Sequence, residues 1–360
     1  MKKLFLALFV ILSLNLDAQY ITNHAKNIKQ TEIDGLYYHL PRNIIRIDFF
    51  VEETHDYKGK YSAYAKELLN TDNYIKENKI SYKIINMNIS SLTEADPNHV
   101  FFISADEKNK ENLNVNLELT SDGVIKSLGH KTNSTENTAA LSIYDEIKYE
   151  DSMTEYNFIS IRDEEDDDEE ISERKLTDKE TALSIIEEIK NIRLAYLDLI
   201  TGYQEVNYGT TMNYMVERLK ELENEYLSMF LGKTNKLTFT KSFYVIPEEG
   251  KNTVILSKFS DTEGFNNKVG ENVKINFTDS SSASSINKLS KDEIENMTYN
   301  NKIFYRNPAN VTMQILLGED IISQNRLKIS QLGNIILLPI NKMKLTFDPN
   351  SGQILSVIKE

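Results

Sequence analysis

Five histidines, His24, His39, His55, His99 and His130, are the side chains of this sequence best suited to moving protons or holding a metal. They are scattered through its first part, and none has another at i, i+4 on a helix, the spacing that puts two ligands on one face. His39 and His55 flank a strand expected over residues 43–53, so they meet only in a fold that brings both ends of that strand together. Glu52 and Glu53 are adjacent on the same strand and therefore point to opposite faces, which denies them a shared substrate. Gly232-Lys233-Thr234 imitates the end of a phosphate loop, but Leu227 stands where the upstream glycine is required, and the tripeptide follows a helix instead of opening one. Asp348-Pro349-Asn350-Ser351-Gly352 has a superficial likeness to a calcium loop, yet its glycine falls one position early and no bidentate glutamate follows; it reads as a tight turn. GxSxG, HExxH, GxxxxGK[ST] and GxGxxG are all missing. No catalytic, cofactor-binding or metal-binding residue is assigned, and no cofactor is expected. Carboxylates from distant segments can still assemble an active site, and facing carboxyl groups about 5–9 Å apart are the mark of glycoside chemistry.

Composition removes further classes. The chain of 360 residues has no cysteine, which excludes disulfide frameworks, thiolate metal sites and cysteine nucleophiles together. Lys and Arg number 41 against 55 Asp and Glu, a net −14, with no basic cluster after the first three residues. Nucleic acid, which is bound by neutralising phosphates, is not an expected partner. Eight of the carboxylates form the uninterrupted run Asp163 to Glu170, expected to be a solvated, self-repelling loop.

Met1-Lys2-Lys3 and the apolar stretch from Leu4 to Leu14 have the layout of a secretory signal peptide, with cleavage expected between Ala18 and Gln19. No later stretch reaches the roughly 20 apolar residues that cross a bilayer. The expected location is therefore outside the cytoplasmic membrane, in the periplasm or at the cell surface.

The elements that must position any site alternate between two periods. Ile45, Ile47, Phe49 and Val51 fall on one face of the strand at 43–53. A short helix carrying Tyr61, Ala65, Leu68 and Leu69 follows, and then extended chain through Tyr82, Ile84, Met87 and Ile89. Further strands are expected at 100–103, 113–120 and 124–128, the last two joined by Ser121-Asp122-Gly123. Thr177-Asp178-Lys179-Glu180 is a capping box opening a helix that stops at Gly202, and a second helix runs from Thr210 to Gly232. The short link between them predicts an antiparallel helical hairpin. From 236 onward the pattern is of strands, including 302–305, 310–317, 321–332 and 335–338, with a mobile Ser-rich segment at 280–290. The fold class is α+β, divided as a signal peptide at 1–18, a β-rich α+β domain at 19–162, an acidic disordered loop at 163–176, the helical hairpin at 177–232 and a mostly antiparallel β domain at 233–360.

Several stretches taken together resemble a known family. Tyr37-Tyr38-His39-Leu40-Pro41, Tyr57-Lys58-Gly59-Lys60-Tyr61-Ser62-Ala63-Tyr64-Ala65, Leu199-Ile200-Thr201-Gly202, Met229-Phe230-Leu231-Gly232-Lys233-Thr234 and Phe347-Asp348-Pro349-Asn350-Ser351-Gly352 occur in this order. They are similar to the domain-of-unknown-function family 4831 of exported Bacteroidetes proteins. The resemblance implies an exported, soluble α+β protein and carries no catalytic residues. The function expected is that of a non-enzymatic accessory subunit that binds another envelope protein. The alternatives are a glycan- or peptide-acting enzyme or small-ligand receptor of the envelope, and a self-associating structural component.

Overall fold

The computed structural model describes residues 20–28, 35–105, 117–128, 176–201, 211–279, 288–340, 343–348 and 350–359. The leader with Ala18 and Gln19, His130, the acidic run at 163–170 and Gly202 lie outside the described residues. In chain order the elements begin β1 (Tyr20–His24), β2 (Gly35–Tyr57), α1 (Ala65–Leu69), β3 (Lys79–Ala105), β4 (Leu117–Leu119) and β5 (Ile125–Leu128). Two long helices follow, α2 (Asp178–Thr201) and α3 (Thr211–Leu231), and then β6 (Lys233–Val245), β7 (Thr253–Ser260), β8 (Gly264–Asn266) and β9 (Glu271–Asp279). The last elements are α4 (Lys291–Asn296), β10 (Tyr299–Asn300), β11 (Lys302–Leu317), β12 (Asp320–Pro339), β13 (Met343–Phe347) and β14 (Ile354–Lys359). The class is mixed helix and strand with antiparallel sheets.

Two compact units divide the chain, one of Met1–Asp56, Asn78–Lys131 and Thr234–Glu360, the other of Tyr57–Glu77 and Thr132–Lys233. In the first, the strands form three sheets, ordered β10-β1-β3-β2-β6, β12-β11-β9-β7-β8 and β14-β13-β5-β4. Strands from before and after the long helices are thus hydrogen-bonded in one sheet, β6 beside β2 and β13 beside β5.

The alternation at 43–53 has the consequence its spacing dictates: Ile45, Ile47, Phe49 and Val51 are all fully buried on one face of β2. They meet Val273, Ile275 and Phe277 of β9 and Val311, Met313 and Ile315 of β11 in one apolar core. Burying each such side chain contributes about 1.5–3 kcal/mol. A second core gathers Tyr38, Leu40, Phe101, Ile303, Phe304, Leu345 and Phe347. There Phe101 stacks on Phe304 with ring centroids 4.1 Å apart, and the Phe304 amide donates to the Tyr38 hydroxyl at 2.9 Å.

β2 and β3 are far longer than the strands expected from sequence. The strand expected at 100–103 is the far end of β3, and those expected at 321–332 and 335–338 are a single β12. The breaks between them are real, but they are bulges within continuous strands. The Ser121-Asp122-Gly123 turn joins β4 to β5 as expected, with residues 113–116 outside the described ones.

In the second unit the capping box forms: the Glu180 amide donates to Thr177 Oγ1 at 3.3 Å, and the Thr177 amide donates to Glu180 Oε2 at 2.8 Å. Ala182 and Ile189 of α2 and Phe230 of α3 are buried with Tyr61 and Ala65. Arg193 of α2 pairs with Glu223 of α3 at 2.6 Å. Gly232, at φ +86°, ends α3 in the left-handed conformation that favours glycine, its amide donating to the Ser228 carbonyl at 2.9 Å. The apolar stripe read along α2 is not buried throughout: Ile200 is 46% exposed.

Candidate functional site at the paired strand breaks

Leu40-Pro41 in β2 cannot keep a regular ladder, because proline has no N–H to give. The register slips there: His39 pairs with Val100 and Pro41 with Ala95, leaving Leu40 opposite the four residues 96–99. Asp96-Pro97-Asn98-His99 are turn-forming residues, and the bulge is closed by the Asn98 amide donating to Asp96 Oδ1 at 3.0 Å. The same irregularity recurs between β11 and β12. Asn307 pairs with Asn334 and Ala309 with Ile329, leaving Pro308 opposite residues 330–333. Bulges of this kind re-aim side chains beside binding sites.

Each bulge is bonded by a residue of the other hairpin. Arg306 of β11, 3% exposed, donates through Nη1 to Asp96 Oδ2 and to the Pro41 carbonyl, both at 2.8 Å. Asn43 of β2, fully buried, accepts through Oδ1 from the Ser330 amide at 2.6 Å and donates through Nδ2 to Thr93 Oγ1 at 3.1 Å and the Asn350 carbonyl at 3.0 Å. Its backbone is matched as well, because the Gln331 side-chain amide accepts from the Asn43 N–H and donates to the Asn43 carbonyl, each at 2.8 Å. Gln331 thereby imitates a neighbouring strand with its side chain. Gly333 completes the second bulge, and a Cβ there would fall 1.8 Å from the Asn307 carbonyl oxygen.

The electrostatics follow from this bonding. Burial works to raise the pKa of Asp96, but hydrogen bonds from His99, Arg306 and the Asn98 amide, with the Arg306 charge, outweigh it and hold the carboxyl well below the usual carboxylate range. His99 Nδ1 lies 3.0 Å from both Asp96 Oδ2 and Arg306 Nη2. Arginine only donates, so His99 pairs with Arg306 when Nδ1 is unprotonated and with Asp96 when it carries the proton. His24 of β1, buried against Phe101, accepts from the Lys26 amide through Nδ1 at 3.2 Å. Its proton is then on Nε2, and its pKa is lowered by burial first and by the Lys26 charge second.

Of these, His24, Asn98, His99, Arg306, Gln331 and Gly333 line a cleft of about 730 Å³. His24, Lys26, Asn98, His99 and Arg306 face it from one side, with Glu249, Lys288, Leu289, Lys291, Ile294, Glu295, Gln331 and Ile335 around the rest. The helix α4 is held at this rim by its own capping box, in which the Glu293 amide donates to Ser290 Oγ at 3.3 Å and the Ser290 amide to Glu293 Oε2 at 2.7 Å. Lys288 Nζ is 3.2 Å from Glu249 Oε1, while Lys26 and Lys291 share Glu295 Oε1 at 3.7 and 3.8 Å.

The profile of the domain-of-unknown-function family DUF4831 matches residues 34–355. The chain belongs to this family. No curated protein and no solved structure matches it. Both bulges, Arg306 and Asn43 fall within the span matched to DUF4831, whereas β1 with His24 precedes it.

Of the four described histidines, the DUF4831 chain brings two, His24 and His99, to one cleft. His39 and His55 remain far apart along β2; His55 Nε2 pairs with Glu53 at 2.6 Å, and His39 Nδ1 is 3.4 Å from the Asp96 carbonyl. Glu52 goes to Lys236 at 3.0 Å, so the adjacent glutamates serve separate partners. The Asp348 carboxylate is consumed within its turn by the Asn350 amide and the Ser351 hydroxyl. Among the described residues, no group of three His, Cys, Asp or Glu is placed to hold a metal, and no helix is long and apolar enough to cross a membrane. Sequence reading missed Asp96, Arg306, Asn43 and Gln331. The available signals were Asp-Pro-Asn interrupting a strand, and a lone arginine between Ile303-Phe304-Tyr305 and Pro308.

Proposed function

We propose that this chain is an exported envelope protein that acts without catalysis as a binding or accessory subunit, and that it engages its envelope partner at the cleft between the two bulges. One observation carries this reading. The polar groups beside the cleft hold one another: Arg306 gives hydrogen bonds to the Asp96 carboxylate and the Pro41 carbonyl, and the Asp96 pKa is held low. A carboxylate held that far below neutrality is poorly matched to proton transfer near pH 7, whereas a rigid charged wall suits recognition. The signal-like leader at 1–18, two lysines followed by an apolar run, supports export. We read residues 177–232 as an antiparallel helical hairpin.

Site-specific photo-crosslinking in intact cells tests this reading, with the crosslinker at Asn98 in the cleft or at Lys236 as a control, in the full-length protein. Recovery of the same envelope protein, near stoichiometric, from Asn98 and not from Lys236 is expected. Recovery of the bait alone from both positions would overturn it. A small-ligand receptor is the second reading, favoured by the cleft volume, which falls within the roughly 300–1,000 Å³ of small-molecule sites.

A further inference from the structure

We infer, resting on the second reading of the cleft as a small-ligand receptor, that the group it receives is a small organic anion: an oxyanion such as a carboxylate, carried on a short apolar body. The chain as a whole has a net charge of −14 and repels anions. The cleft is a local exception: Arg306 is balanced by Asp96, but Lys26, Lys288 and Lys291 face it against only two carboxylates, Glu249 and Glu295. Those charges are unevenly matched. Lys288 has Glu249 within hydrogen-bond reach, but Lys26 and Lys291 divide a single oxygen of Glu295 and neither approaches closer than 3.7 Å. An oxyanion seated between the two ammonium groups replaces two long ion pairs with short, charge-assisted hydrogen bonds. The apolar part is supplied for by Leu289, Ile294 and Ile335, which line the same cleft beside these lysines.

Glu295 is on this account a competitor of the ligand, and its removal must strengthen binding. Sodium hexanoate is the probe, titrated into the full-length protein while the methyl resonances of Leu289, Ile294 and Ile335 are followed by NMR. Sodium acetate, inorganic phosphate and hexylammonium chloride form parallel arms. Saturable shifts with hexanoate are expected, weaker with acetate and absent with hexylammonium. Glu295→Gln should lower the half-saturation concentration about two- to fivefold, and the double variant K26Q/K291Q should raise it about fivefold or more, the scale of exposed ion pairs. Glu295→Gln keeps the helix cap and tests the inference by a gain, which a misfolded variant cannot mimic. Non-saturating shifts, equal binding of hexylammonium, or weakening by Glu295→Gln would overturn it. Phosphate binding as tightly as hexanoate would overturn its apolar half. Failure here with crosslinking from Asn98 intact removes the anion and leaves the partner; the reverse pattern removes the partner alone.

Discussion

Leu40 and Pro308 hold the same place in two different hairpins: each stands alone opposite four residues of the neighbouring strand, and each break is bonded by a residue from the other hairpin. The fold thereby converts two local irregularities into one interlocked wall. Neither break can be altered without exposing or orphaning polar groups in its counterpart.

Gly333→Ala addresses the tightest approach in that wall. The added Cβ meets a backbone oxygen, which cannot rotate away as a side chain would, so β12 must shift from β11. A loss of about 1–3 kcal/mol in urea denaturation is expected, the scale of overpacking.

Asp96 and Arg306 should behave as one unit. Asp96→Asn leaves a buried guanidinium without its counter-charge, and Arg306→Met leaves a buried carboxylate in the same position, each costing about 3–5 kcal/mol. The double variant should cost clearly less than the sum of the two, because neither charge is then stranded. Additive losses in a denaturant double-mutant cycle would show that the pair is not coupled.

Acid titration gives the sign independently. The Asp96 pKa is lower folded than unfolded, so its contribution to stability is complete above the unfolded value, about 3.9, and is lost as pH falls below that toward the folded value. Denaturation midpoints measured from pH 6 down to pH 2.5 should fall more steeply for the natural chain than for Asp96→Asn. Parallel curves would refute the depressed pKa.

Asn43→Ala removes the acceptor of the Ser330 amide and the donor to the Asn350 carbonyl at a fully buried position. Leaving such groups unmatched costs about 1–3 kcal/mol each. Hydrogen exchange should show the Ser330 amide losing protection first, ahead of amides in the middle of β9.

Much of the scaffold was legible because its causes are local. Alternation at Ile45, Ile47, Phe49 and Val51 requires a half-buried strand, and Thr177-x-x-Glu180 requires a helix start. Ser290-x-x-Glu293 carries the same signal at the head of α4, but it stands at the end of the serine-rich run read as mobile, and no element was assigned to the residues after it. The breaks at 96–99 and 330–333 were visible as strand ends, since Pro and Gly interrupt a pattern whether or not the chain continues beyond them. The site itself was illegible for a different reason: Asp96 and Arg306 are 210 residues apart, and no periodicity relates them. They stand on β3 and β11, in two different sheets, so only the packing of the folded chain sets one against the other.

The clamp that Asn301 places on β1 bears on how the chain comes to be folded. Tyr20 donates its amide to the Asn301 side chain and accepts from the Asn301 amide, a closure spanning 281 residues. Contacts of such separation form late and slowly, because the intervening chain must first be gathered in. A ribosome that has released only the first two thirds of this polypeptide has made β1, β2 and β3 but neither β10 nor the hairpin that fills the Asp96 bulge. The growing chain is thus without its central arginine for most of its synthesis, and the buried pair of Asp96 and Arg306 closes only near its end.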